Sequence, residues 1–128
     1  MFMSKVLDTP YVYYELQGDL LIATYKKDVK VNLEMAKEII RERHEFTDHQ
    51  PVALLVYNQG VVRMDKKARE LLSSGDGVKG IVAAAIVVGS PFTSFMANFF
   101  VSVNKPKMPA RVFSDSEGAL KWLEKYRK

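Results

Sequence analysis

Apolar residues along this chain change their spacing several times, and each change marks an element. Residues 80–104, GIVAAAIVVGSPFTSFMANFFVSVN, carry no charge. Residues 81–88 are an unbroken run of β-branched and small apolar side chains, the composition of a strand buried on both faces. Phe92, Phe95, Met96, Phe99, Phe100 and Val103 then recur with the period of one helix face. Between the two halves stand Gly89, Ser90 and Pro91; Ser90 can cap a helix and Pro91 suits its first turn. The expectation is a strand feeding a helix whose phenylalanine stripe faces inward. The stretch is long enough to raise a transmembrane reading. Its central break and its amphipathic second half favour two elements of ordinary length and no membrane span.

The other elements follow by the same reasoning. Runs at 11–16 and 20–25, separated by Gln17-Gly18-Asp19, predict a β-hairpin. A charged connection at 26–31 leads to Asn32, a plausible N-cap for a helix over 33–46. That helix turns Met35, Ala36, Ile39 and Ile40 inward and Lys37, Glu38, Arg41, Glu42 and Glu45 outward. Residues 52–57 form a second continuous apolar run, hence a central strand. Asp65 is placed to cap a short helix over 65–74 with Ala68, Leu71 and Leu72 inward, and Gly75, Gly77 and Gly80 make a flexible loop behind it. Two prolines in 105–109 exclude a helix there. A short edge strand over 110–113 follows. Ser114 to Glu117 has the form of a capping box for a last helix over 115–126, with Ala119, Leu120, Leu123 and Tyr126 along one side and Trp122 beside them. The fold class is α/β in the order β-β-α-β-α-β-α-β-α: a mixed sheet with an N-terminal hairpin followed by parallel βα units, joined by right-handed crossovers. The length fits one domain over 1–128, ordered from about 11 to 126.

Composition narrows the chemistry. The chain has no cysteine, which excludes disulfides, thiolate metal sites and cysteine nucleophiles, and fits a reducing, cytoplasmic location. The net charge of +4 is local: residues 63–107 hold seven basic and three acidic side chains, and the remainder twelve of each. A basic surface around the second helix is either a solvated face or a docking site for an acidic protein partner. Without an arginine cluster or an RNA-binding aromatic motif, nucleic acid is not an expected partner.

No catalytic residue, metal site or cofactor is expected. His44 and His49 fit no metal-ligand spacing, and no phosphate-binding or nucleophile-elbow motif is present. Ser90 sits at a strand-to-helix turn, but Pro91 lacks the N–H that an oxyanion hole needs there, so it reads as a cap. Gly75-Asp76-Gly77 with Gly80 lacks the Lys-Ser/Thr that would follow a phosphate loop. Ligands of open α/β sheets bind beyond the carboxyl ends of parallel strands. That edge carries Asn58, Gln59, Gly60, Ser90 and Thr93, neutral groups suited to recognition. The far face of the Phe-rich helix carries Thr93, Ser94, Ala97, Asn98, Val101 and Ser102, small neutral residues that permit close approach. Three readings stay open for it: cover by the chain itself, a homodimer contact through Ser94, Ala97, Asn98 and Val101, or an apolar-ligand pocket.

The element order, together with Ala97-Asn98-Phe99-Phe100, Lys105-Pro106, Arg111-Val112-Phe113 and Ala119 to Leu123, resembles the SpoIIAA-like or STAS domains, the anti-sigma-factor antagonist fold, in a bacterial STAS/SEC14-like branch. The resemblance implies a non-enzymatic regulatory domain that binds a protein partner. It places a phosphorylatable serine or threonine where this chain has Asp65-Lys66-Lys67-Ala68, so both hydroxyl positions are lysines. Phosphorylation would add about two negative charges there; this chain carries two fixed positive ones. Asp65, Lys66, Lys67 and Arg69 are the expected partner surface. The SEC14 side of the resemblance implies the alternative, a small-molecule or lipid carrier with a pocket between helix 91–103 and the sheet.

Overall fold

A computed structural model describes residues 4–58 and 60–128. In chain order the elements are β1 (Ser4–Asp8), β2 (Val12–Gln17), β3 (Leu20–Tyr25), β4 (Val29–Val31), α1 (Leu33–Phe46), β5 (Val52–Asn58), β6 (Val61–Met64), α2 (Lys66–Leu72), β7 (Ile81–Val88), α3 (Pro91–Phe99), β8 (Ala110–Phe113) and α4 (Ser116–Glu124). Six strands form one sheet in the order β1-β2-β3-β5-β7-β8. The first three are antiparallel; β3, β5, β7 and β8 run parallel. This is the expected α/β sheet, hairpin first and parallel units after it, with β8 at an edge.

Three strands add to the expected order. β1 lies outside the hairpin, and four of its five residues are exposed, so it carries no inward apolar run to read. β4 and β6 pair as a separate parallel ribbon. β4 buries Val29 and Val31 around exposed Lys30, an alternation too short to stand out inside a charged connection. That connection passes directly over Gly60: a Cβ there would sit 1.8 Å from the Lys26 carbonyl oxygen, and the Val29 N–H donates to the Gly60 carbonyl at 3.0 Å.

The sheet has a core on each face because β5 and β7 are covered on both sides. On one face Leu20, Ala53, Leu55, Ala83, Ala85 and Val87 pack against Ala119 and Leu123 of α4. The alanines of β5 and β7 let α4 approach closely. Trp122 is half-buried on this face, its ring 5.7 Å from Phe113 and 5.0 Å from Tyr126. Leu120, expected on the inner side, is exposed instead, because Ala119 and Leu123 define the buried line one residue over. The cap of α4 also shifts by one residue: Asp115, not Ser114, accepts from the Gly118 N–H at 2.7 Å. On the other face Val12, Tyr14, Leu21 and Ala23 pack against Ala36 and Ile39 of α1 and Ala68 of α2. Asn32 caps α1 as expected, accepting from the Met35 N–H at 2.9 Å. Asp65 stands at the start of α2 without capping it, because its carboxylate is drawn to Arg63 Nε at 3.1 Å.

The uncharged stretch over 80–104 divides into β7 and α3, as its central break predicts. Among the described residues no helix is long and apolar enough to cross a membrane. Beyond Phe99 the helix widens into a π turn over Phe100–Asn104 and stops at Lys105, which takes the left-handed conformation at φ 47°.

Two measurements test this packing. Trp122→Ala removes a half-buried ring from an aromatic trio and is expected to cost about 3 kcal/mol, read as a lowered urea midpoint; an unchanged midpoint would place the indole outside the fold's energetics. Asp19, in the hairpin turn, accepts from Arg127 Nε at 2.8 Å and from the Lys128 N–H at 2.9 Å. Burial alone would raise its carboxyl, but the Lys128 amide and the Arg127 guanidinium outweigh that and hold its pKa below the ordinary value. A depressed folded pKa stabilises above the unfolded pKa of about 3.9 and ceases to do so as pH falls through the folded value. Asp19→Asn should therefore lower stability at pH 7 by up to about 1 kcal/mol. The gap from wild type should shrink below pH 4, and an equal gap at both pH values would contradict the assignment.

Candidate functional site

The three helices on the second face do not close over the sheet. Side chains facing them alternate along the strands: Ala23 on β3, Leu54, Val56 and Asn58 on β5, Ala84 and Ile86 on β7. Between these and α1, α2 and α3 lies a cavity of about 380 Å³, within the range of small-molecule sites. Its wall is overwhelmingly apolar. The hydrogen-bonding side chains on it are Tyr14, Tyr25, Arg43, Asn58 and Arg69, and no carboxylate lines it among the described residues.

The cavity exists because α3 is oriented opposite to expectation. Its buried residues are Thr93 and Ala97. Phe92, Phe95 and Val103 are 54, 68 and 57% exposed, and Phe99 is exposed as well. Met96 and Phe100 are half-buried and line the cavity. Thr93 is fixed by a reciprocal cap: the Thr93 N–H donates to Ser90 Oγ and the Ser90 N–H to Thr93 Oγ1, each at 3.1 Å. With Thr93 locked at the strand end, Ala97 one turn later meets the sheet. Small residues on that side let the helix backbone come close, and the phenylalanines are left around the mouth. Periodicity groups residues on a face but does not say which of two faces is inside. The proposed dimer face is corrected accordingly: Ala97 is buried against its own sheet and is not part of a surface shared with Ser94, Asn98 and Val101.

Arg43 belongs to the inner stripe of α1, four residues after Ile39, and is only 7% exposed. Nη1 donates to the Gly77 carbonyl at 3.0 Å, and Nη2 to the Asp76 carbonyl at 3.0 Å and the Lys79 carbonyl at 3.3 Å. The glycine loop is thus tied down rather than free. Burial draws the Arg43 pKa down, yet guanidinium remains charged at ordinary pH. Burial likewise raises the phenols of Tyr14 and Tyr25, the latter to about 12, so both remain protonated donors. Tyr14 Oη makes a long contact to the Ile39 carbonyl at 3.5 Å. His44 stacks on His49 at 5.3 Å and meets the Asp76 carbonyl at 2.9 Å. No cluster with metal-binding composition occurs among the described residues.

The expected ligand edge does not act as a unit. Asn58 lines the cavity, with Oδ1 buried and unpartnered among the described residues. Gln59 lies outside the described residues. Gly60 is occupied by the Lys26 backbone, and Ser90 and Thr93 are occupied by the cap. The expected partner surface also divides. Lys66 and Lys67 are exposed, and Asp65 pairs with Arg63. Arg69 turns to the cavity wall, where Nη1 donates to the Met64 carbonyl at 2.7 Å and Cζ lies 5.1 Å from the centre of the Phe99 ring.

Sequence reasoning missed Tyr14, Tyr25 and Arg43. Arg43 had a signal, since it continues the Ala36–Ile39 spacing. The tyrosines had none beyond strand alternation.

A crystal structure of an uncharacterised protein from the DUF3478 family of Shewanella loihica PV-4, with a SpoIIAA-like fold, aligns with this chain at a TM-score of 0.57. The two share 14% identity, and the alignment covers 95% of this chain and 93% of that one. The fold is therefore SpoIIAA-like. Over residues 14–127 the sequence matches the family described as "Domain of unknown function (DUF7793)", and the chain belongs to it. No curated protein matches the sequence.

Proposed function

We propose that this single STAS-type domain is a non-enzymatic binding module whose cavity takes an apolar small molecule. The observation that carries this reading is the 380 Å³ apolar cavity between α3 and the sheet, bordered by exposed Phe92, Phe95 and Phe99. Burying a ligand's hydrocarbon contributes roughly 25 cal/mol per Å² removed from water, and an apolar void is a poor host for water. Catalysis needs an acid–base pair or a nucleophile beside its base; the wall offers two phenols, two guanidiniums and one amide.

The test is saturable binding of the neutral reporter N-phenyl-1-naphthylamine, with native mass spectrometry of the purified protein for retained apolar molecules. Ala84→Phe, on the sheet floor, should abolish reporter binding while leaving the urea midpoint unchanged or raised. Reporter binding that survives Ala84→Phe would place the apolar site elsewhere. A wild type that takes no reporter would sink the reading.

A second reading has its own observation. Lys66 and Lys67 are exposed at the start of α2 and lie outside every ion pair among the described residues. They suit an acidic protein partner whose docking is not switched by phosphorylation at 65–68, since neither lysine offers a hydroxyl. Lys66→Glu with Lys67→Glu should then weaken the partner's binding at least about tenfold and reduce its salt dependence. Binding indifferent to both the double substitution and the salt would dismiss this surface.

A further inference from the structure

The charge on the cavity wall is one-sided. Arg43 and Arg69 both line it, neither forms a salt bridge among the described residues, and no carboxylate faces them across the wall. Arg43 is already satisfied by three backbone carbonyls, so it contributes charge without a free donor edge. Arg69 is different. One terminal nitrogen, Nη1, is spent on the Met64 carbonyl, and Nε is buried with no acceptor among the described residues. Nη2 has no acceptor there either. Nε–H and Nη2–H are the two parallel donors of a guanidinium's side-on edge, the pair that a carboxylate accepts in bidentate fashion. A buried charged donor without an acceptor is costly, and the Phe99 ring below the guanidinium favours its cation but supplies no acceptor. An acceptor from outside the chain would meet this guanidinium at Nη2, since Nε is sealed from solvent.

We infer that the ligand of this cavity is an apolar monocarboxylate, with its head group at the Arg69 guanidinium and its hydrocarbon against Val56, Ile86, Met96 and Phe100. The inference rests on the small-molecule reading above and deepens it by fixing the head group. A neutral alcohol of the same chain length gains the same apolar burial but only a single neutral hydrogen bond. A cationic amphiphile meets two guanidiniums of its own sign.

The experiment is competition against bound N-phenyl-1-naphthylamine by decanoate, decan-1-ol and decyltrimethylammonium, each below its micellar concentration at pH 7.5. Decanoate should displace the reporter at a concentration at least about tenfold below decan-1-ol, the usual advantage of a charge-assisted pair. Decyltrimethylammonium should be the weakest of the three. Arg69→Met should bring decanoate to the level of decan-1-ol without moving decan-1-ol itself, and Arg69→Lys should retain part of the gap. Equal displacement by decanoate and decan-1-ol in the wild type would overturn the head-group assignment while the cavity reading stands. A gap that persists in Arg69→Met would overturn the role of Arg69. Failure of the wild type to bind the reporter or any of the three would instead overturn the cavity reading itself.

Discussion

The parallel pairing of β5 with β7 is the constraint on which the remaining structure depends. Val52 to Asn58 lies beside Ile81 to Val88 with both faces of the pair covered, so every side chain along it must suit one layer or the other. On the α4 face the residues are Ala53, Leu55, Ala83, Ala85 and Val87, and the helix closes down on them. On the opposite face they are Leu54, Val56, Ala84 and Ile86, and α1, α2 and α3 leave a cavity over them. One ladder thus produces a sealed layer and an open one. The difference arises from the helices: α4 turns Ala119 and Leu123 onto the sheet, whereas α3 turns in Thr93 and Ala97 and holds its phenylalanines at the rim.

Charge acts on this frame through two arginines with different tasks. Arg43 spans from α1 to the loop over 75–80 and donates to three of its carbonyls, the Gly77 one in a buried setting. Unpaired buried carbonyls are rare because each costs as much as a lost hydrogen bond, so the guanidinium organises the entry into β7. Gly77 is needed at that point, since a Cβ there would come within 2.0 Å of the Leu71 carbonyl oxygen. Arg69 holds only the Met64 carbonyl and keeps donor capacity at the cavity wall. Position in the helix decides the outcome: Arg43 ends a buried stripe, while Arg69 follows buried Ala68 at the edge of one.

The elements that sequence revealed are those whose apolar run or stripe is long enough to read within one local window. Residues 52–57 and 81–88 read as strands because both faces are covered, and the caps Asn32 and Ser90 read as caps because their oxygens have a local donor to accept from. The missed strands β4 and β6 are short and stabilise each other across thirty-odd positions, a relation that no local window contains. The orientation of α3 was illegible for a related reason. Its two faces, one aromatic and one small, are both compatible with burial, and only the Ser90–Thr93 lock at the end of β7 selects between them. The cavity had no signature in the sequence, because it is a space bounded by residues from Tyr14 to Met108 rather than a motif. Arg69 was recognisable as a functional candidate, but its charge pointed to a surface, whereas its side chain turns inward.

The position of β8 has a consequence for how this molecule behaves in company. A sheet that ends in an unpaired strand offers a template on which further strands can grow, and long flat apolar edges are where such growth begins. Here that border is four residues long, carries exposed Arg111 near its centre and starts directly after Pro109, which has no N–H to offer a newcomer. Its outer row is too short and too charged to seed stacking. At this edge the backbone therefore discourages self-templating, while the bare phenylalanines of α3 stand apart from it at the cavity mouth.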